Sequence, residues 1–276
     1  MPSLDYARDD NAGKVFIVID SHCHLADKAF DADRDAVIAR AHAAGVTTMI
    51  CIADTLEEGK RCVEIAGQHE GVFATVGVHP HVSSQWTASS GQRLEELLRS
   101  SPKTVAVGEV GLDYHYMRST IDEQQAAFRE QLALAKSMEL PVIVHCREAV
   151  EDVWRIVDDV RPDQLVLHCC TEAWADVARF VERGYLLSFT GIATYANAQT
   201  VRDTIAQCPL EHMMIETDAP YLTPEALRAE GGRSMRNEPA YVVEVARGIA
   251  AVTGKDIDDI AAITSRNAVE FFRLSP

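Results

Sequence analysis

Val15-Phe16-Ile17-Val18-Ile19-Asp20-Ser21-His22-Cys23-His24 runs five apolar residues into an acid and two histidines. A continuous apolar run rich in β-branched residues predicts a strand buried on both faces, as in parallel sheets. Residues two apart on a strand face the same side, so His22 and His24 project together from its carboxyl end. Two imidazoles on a rigid support can hold a divalent cation. Taken alone, two surface histidines at a strand end are the simpler account.

The same pattern recurs along the chain. Val- and Ile-rich runs at 15–20, 46–52, 72–78, 104–109, 141–145, 164–168, 185–190 and 213–218 predict eight strands. Between them lie segments with helical apolar spacing, such as Phe128-Leu132-Leu134-Ala135 and Val153-Ile156-Val157, closed by Gly, Pro or polar residues. Apolar strands alternating with helices imply an α/β fold with a parallel sheet covered on both faces. Eight such units at this length fit a closed (β/α)₈ TIM barrel. A doubly wound open sheet is the alternative. No Gly-x-Gly-x-x-Gly follows the first strand and no Gly-Lys-Ser/Thr loop occurs, so nucleotide-cofactor folds lose support. Residues 1–13 read as a flexible N-terminal tail and 14–276 as one barrel domain, ending in helical stretches at 241–251 and 257–272.

The bulk numbers restrict the function. With 276 residues, 47% of them apolar, the chain can bury a large core. Its 26 basic and 42 acidic residues leave a net charge of −16, which argues against a broad electrostatic nucleic-acid surface; a phosphate substrate must be attracted locally. No apolar stretch approaches the roughly 18 residues of a membrane span, and no basic-then-apolar leader opens the chain, so a cytoplasmic location is expected. The seven cysteines are odd in number, and Cys51, Cys62, Cys146 and Cys208 lie singly among apolar residues, which suits reduced core thiols. Cys169-Cys170, with no Cys-x-x-Cys spacing anywhere, makes no soft zinc cage.

Titratable residues fall where barrel enzymes assemble their active sites, at the carboxyl ends of strands. Asp20, His22 and His24 follow the first; His79-Pro80-His81 the third; Glu109 and Asp113 the fourth; His145, Arg147 and Glu148 the fifth; His168 the sixth; Glu216 and Asp218 the eighth. Each is ordinary singly, but a converging ring of buried charge costs several kcal/mol per ion unless cations or hydrogen bonds compensate it. His22, His24, Glu109, His145, His168 and Asp218 form a mixed N/O set sufficient for two divalent metal ions. Glu109 is the natural bridge, with His22, His24 and Asp218 on one ion and His145 and His168 on the other. Two such ions roughly 3.5–4 Å apart activate a hydroxide and neutralise a leaving phosphate.

Longer blocks carry a resemblance. Asp20-Ser21-His22-Cys23-His24-Leu25, Gly77-Val78-His79-Pro80-His81, Val107-Gly108-Glu109-Val110-Gly111-Leu112-Asp113-Tyr114, Pro141-Val142-Ile143-Val144-His145-Cys146-Arg147-Glu148-Ala149, Ile215-Glu216-Thr217-Asp218-Ala219-Pro220-Tyr221-Leu222 and Arg236-Asn237-Glu238-Pro239 resemble, in this order, the TatD-related metal-dependent deoxyribonucleases of the amidohydrolase superfamily. The resemblance implies a metal-binding TIM barrel and phosphodiester hydrolysis in DNA, often as a 3′-to-5′ exonuclease acting on single-stranded ends. It implies the same six ligands and two metal ions; an imidazole-rich site binds Zn²⁺ or Mn²⁺ readily, and nuclease chemistry frequently proceeds with Mg²⁺. The chain departs from the family after His168, where Cys169-Cys170-Thr171-Glu172 replaces an aromatic, a small hydroxyl residue and glycine. Glu172 would add negative charge near an approaching phosphate, and the Gly231 to Arg236 spacing leaves open whether Arg233 or Arg236 reaches the site.

Four roles follow, three of them with a plainer rival. Asp218 is the candidate general base as well as a ligand, against a helix cap. Glu109 is the bridging ligand that catalysis depends on. His79, held by Pro80, is a candidate for contact with a phosphate oxygen, against a satisfied loop histidine. Arg147 offers a bidentate fork to phosphate, against an ion pair with Glu148 or Asp152. Asp113, Tyr114 and Glu216 are candidates for support behind the ligands, Asp113 also reading as a turn residue. The rival functions are an amidohydrolase or lactonase acting on a small carbonyl substrate and a barrel used only as a binding scaffold.

Overall fold

Each Val- and Ile-rich run pairs with the next along the chain, and every pairing is parallel. The computed structural model describes residues 17–232 and 235–274; the expected tail at 1–13 and the opening residues of the first apolar run lie outside them. The strands are β1 (Val18–Cys23), β2 (Val46–Cys51), β3 (Val72–Val76), β4 (Thr104–Asp113), β5 (Val142–Arg147), β6 (Leu165–Leu167), β7 (Leu186–Phe189) and β8 (Met213–Ile215). Helices alternate with them: α1 (Arg34–Ala43), α2 (Leu56–Gln68), α3 (Ser90–Arg99), α4 (Ile121–Ser137), α5 (Val150–Val160), α6 (Trp174–Glu182) and α7 (Gln199–Gln207). After β8 come α8 (Glu225–Gly231), α9 (Val242–Thr253) and α10 (Ile257–Phe272).

Sheet order follows chain order from β1 to β8, which fits a (β/α)₈ barrel and rules out the doubly wound alternative. The last strand meets the first just past its end. The Asp218 N–H donates to the His22 carbonyl at 2.9 Å and the His24 N–H to the Ala219 carbonyl at 2.7 Å. Inside this seam the buried Asp20 carboxylate accepts the Thr217 N–H at 2.9 Å and its hydroxyl at 2.5 Å.

Strand ends differ from the sequence expectation where pairing outlasts the apolar run. β1 continues past Asp20 because Cys23 pairs with Cys51, so His22 lies within the strand. β4 runs to Asp113 because, after a register shift between Val107 and Val110, residues Val110 and Gly111 pair with Val144 and His145 and the ladder continues to Asp113 and Arg147. Glu109 therefore sits in mid-strand. Strands β3, β6 and β8 stop short, which leaves His79, His168 and Asp218 on the loops that follow.

The helices form for ordinary reasons. α4 starts at a capping box in which the Thr120 side chain accepts the Glu123 N–H and Glu123 reaches back to the Thr120 N–H. Its Phe128, Leu132 and Ala135, at helical spacing, are buried against the barrel. Gln131 on the same face holds the Val78 N–H at 2.8 Å and its carbonyl at 3.1 Å, and so positions the loop bearing His79. Phe271 and Phe272 of α10 pack on a separate cluster with Ile19, Ile143, Val166 and Met214. β4 and β5 approach so closely that a Cβ on Gly111 would lie 2.0 Å from the His145 carbonyl oxygen, at a φ of 142°. Only glycine fits there.

A charged clamp ties α1 to the segment before α9. Arg236 donates to both oxygens of Asp33 at 2.8 Å and to Glu238 at 2.8 Å, and Arg40 donates to both oxygens of Glu238 at 2.8 Å. The Arg236 hydrogen bonds hold the Asp33 carboxyl down at about 2, below its ordinary 3.8. A depressed folded-state value gives stability that is present above the ordinary value and lost as the pH falls towards 2. The urea midpoint of Asp33→Asn is therefore expected to lie below that of the wild type at neutral pH, with the gap closing as the pH drops below the ordinary carboxylate value. A gap independent of pH rejects the clamp.

Candidate metal centre

The carboxyl ends of the strands bring all six predicted ligands to one place. His22 comes from within β1 and His24 from just beyond it; Glu109 comes from mid-β4 and His145 from β5; His168 and Asp218 come from the loops after β6 and β8. With His79, Arg147 and Asp54, all but His22 line a cavity of ≈ 610 Å³.

Two donor groups share one carboxylate. On one side His22 Nε2 and His24 Nε2 lie 3.2 Å apart, with Asp218 Oδ1 at 3.6 and 3.2 Å from them and Glu109 Oε2 at 3.4 and 3.9 Å. On the other, Glu109 Oε1 lies 2.8 Å from His145 Nδ1, 2.7 Å from His168 Nε2 and 3.3 Å from His79 Nε2. The His22 and His168 rings stack at 4.0 Å. Asp218 takes a φ of 55°, which aspartate tolerates better than most residues.

The electrostatics fit divalent cations. Two imidazole Nε2 atoms 3.2 Å apart present lone pairs to each other unless a proton or a cation lies between them. Burial alone would neutralise Glu109, yet His168, His79 and His145 hold it well below the usual carboxylate range. Against the same burial, Glu109 pulls His168 well above its ordinary value, and Asp54 and Asp218 push His24 up to about 10. The centre thus favours ionised carboxylates and added positive charge, and the triplets His22-His24-Asp218, His22-Glu109-His168, His79-Glu109-His145 and His24-Asp54-Glu109 each have the spacing to hold an ion.

Support lies behind the donors. Glu216 is buried, with Oε1 3.3 Å from His168 Nδ1 and accepting the Cys169 N–H at 2.8 Å, while Oε2 accepts the Ser188 hydroxyl at 2.5 Å. Asp113 Oδ2 lies 3.1 Å from His145 Nε2 and 2.9 Å from His81 Nε2. Each acid draws the proton to the far nitrogen of its histidine and leaves Nε2 of His168 and Nδ1 of His145 facing Glu109.

Other candidates fall differently. Arg147 pairs with neither Glu148 nor Asp152: its guanidinium lies 4.8 Å from the Tyr116 ring centroid, while Glu148 takes His115 and Asp152 takes Tyr114, Gln125 and Arg155. Arg236 is engaged in the α1 clamp, and Arg233 lies outside the described residues. Glu172 does not line the cavity. Asp54, beyond β2, and His81 received no role from sequence, although Asp54 Oδ1 lies 3.9 Å from His24 Nδ1. The signal for Asp54 was its position, an acid just past a strand.

Comparison with known proteins now settles the lineage. The family model described as TatD related DNase matches residues 19–273. The chain belongs to that family. It is 36% identical over 262 residues to the "uncharacterized metal-dependent hydrolase YabD" of Bacillus subtilis (strain 168), covering 94% of this chain and all of that one. It is also 36% identical over 261 residues to the "3'-5' ssDNA/RNA exonuclease TatD" of Salmonella typhimurium, covering 93% and 99%. Among solved structures, YJJV, a TatD homologue from Escherichia coli k12, superposes with a TM-score of 0.88 at 30% identity, covering 95% of this chain and 100% of its own. TatD-family membership makes this chain a hydrolase and agrees with a barrel whose mouth carries clustered metal donors. Among the described residues no helix is long and apolar enough to cross a membrane.

Proposed function

We propose that this TatD-family protein is a metal-dependent 3′-to-5′ exodeoxyribonuclease acting on single-stranded DNA ends, with two divalent cations, Mg²⁺, Mn²⁺ or Zn²⁺, held by His22, His24, Glu109, His145, His168 and Asp218. One observation carries this reading: Glu109 turns one oxygen to His22 and His24 and the other to His145 and His168. A carboxylate so divided suits a bridge between two ions. The names of relatives such as the Salmonella exonuclease supply the bond class and polarity.

Bound cations supply Lewis-acid charge that lowers the pKa of water and offsets the charge on a phosphate. The chain's own groups do the rest. Asp218, with one oxygen on the imidazoles, accepts the proton released by the attacking water. His79, buried beside Glu109, and Arg147, exposed at the mouth, hold the phosphate oxygens and supply the local attraction that a chain of net charge −16 otherwise lacks. Seven free cysteines suit the reducing cytoplasm, where we place the protein.

The reading is tested by giving protein reconstituted with Mn²⁺ a single-stranded oligonucleotide labelled at its 5′ end. The expected product is a ladder shortening from the 3′ end. Intact DNA alongside hydrolysis of small lactones or amides would transfer the site to carbonyl chemistry.

A further inference from the structure

An exposed aromatic ring stands at the cavity mouth beside two guanidiniums. Tyr116, in the loop between β4 and α4, is 50% exposed, yet its backbone is fixed. Asp113 Oδ1 accepts the His115 N–H at 3.0 Å and the Tyr116 N–H at 2.8 Å. Gln124 of α4 in turn accepts the Asp113 N–H at 2.8 Å and donates to its carbonyl at 3.0 Å. The other oxygen of Asp113 faces His145, so one buried carboxylate sets both a metal donor and the ring. The ring also meets His81 edge-on, with centroids 5.4 Å apart.

Arg147 and Arg118 lie 4.8 and 5.7 Å from the Tyr116 centroid. Among the described residues neither forms an ion pair, unlike Arg129, Arg155 and Arg179. Both are exposed, and both line the cavity that holds Glu109 and Asp218. A half-exposed aromatic ring with unpaired, planar cations over it, beside a centre built for phosphate, has the composition of a stacking platform for single-stranded nucleic acid.

We infer that Tyr116, with Arg147 and Arg118, seats the nucleobase next to the scissile phosphate by stacking, and that this seat selects single-stranded substrate. The inference rests on the nuclease reading above. A base paired in a duplex is stacked on its neighbours and must be unpaired and unstacked before it can lie on the ring, whereas a single-stranded end offers its face at little cost. Stacking is tolerant of base identity, so the seat grips every nucleotide in turn, as processing from an end requires.

The test is calorimetric binding of deoxyadenosine 5′-monophosphate, deoxyadenosine 3′-monophosphate, 2-deoxyribose 5-phosphate and orthophosphate to the Mn²⁺-loaded protein. At least one nucleotide is expected to bind about tenfold or more tightly than the base-free sugar phosphate. Tyr116→Phe should keep that difference. Tyr116→Ala should abolish it while orthophosphate affinity is unchanged, which also shows that the centre remains folded. Equal binding of nucleotides and sugar phosphate by the wild type overturns the seat, as does a nucleotide preference that survives Tyr116→Ala or vanishes in Tyr116→Phe. A wild type that degrades single-stranded DNA yet binds neither nucleotide more tightly than 2-deoxyribose 5-phosphate sinks the seat alone, while one that leaves DNA intact sinks the nuclease reading itself.

Discussion

Glu109→Ala is expected to lower kcat on single-stranded DNA by about a thousandfold and to reduce the bound metal by at least one equivalent. Its oxygens lie 3.4 Å from His22 on one side and 2.7 Å from His168 on the other, so this one carboxylate touches both donor groups. Metal-centred charge stabilisation is worth several kcal/mol in the transition state, and about 4 kcal/mol corresponds to a factor of about 10³ in rate. The acid also supplies the negative charge that draws positive charge onto His168 and His145, so its removal leaves the centre less able to hold a cation. Glu109→Gln keeps the shape and removes the charge; it should behave the same way. Elemental analysis and turnover on the two purified variants, with far-ultraviolet circular dichroism to check the fold, decide the matter. Full activity with an unchanged metal content would falsify the bridge.

Gly111→Ala should be the most destabilising single methyl group in the barrel. Its Cβ would sit 2.0 Å from the His145 carbonyl oxygen, a backbone atom that cannot swing aside, and the φ of 142° is strained for any residue with a side chain. Backbone strain of about 1–3 kcal/mol and overpacking of about 1–3 kcal/mol add to roughly 2–6 kcal/mol. For a domain of this size each kcal/mol moves Tm by about 2–4 °C, so a fall of about 4–24 °C is expected in calorimetry. Because Gly111 pairs with His145, relief of the clash would also displace that donor from Glu109, and metal affinity should fall with stability. A variant within 1 °C or so of the wild type in Tm would show that β4 and β5 can part at no cost, against this reading of the register.

Much of this architecture was legible in the residues. Eight Val- and Ile-rich runs forecast eight strands because strands buried on both faces must be apolar along their length, and that composition does not depend on which strand lies next door. That the six candidate donors would gather was legible because imidazoles and acids at the ends of such runs have few other reasons to recur. What stayed hidden was pairing. Nothing in Val107-Gly108-Glu109-Val110 announces the register shift that carries β4 on to Asp113 and places Glu109 in mid-strand. Asp54 was missed because it follows β2 without a histidine beside it, and His81 because its value lies in a contact with Asp113, 32 residues away. Arg147 stood out as a cation, but its neighbour Tyr116 is an aromatic residue in a loop, and only folding brings the two within 4.8 Å.

The seam between the first and last strands has a consequence for the birth of the molecule. Asp20 and Thr217, 197 positions apart, must meet before the barrel closes, and Asp218 arrives beside His22 and His24 only with them. During translation the histidine pair leaves the ribosome well before its acid. A chain that stops short of β8 therefore lacks both Thr217 and Asp218, and the mouth stays unfinished until they emerge.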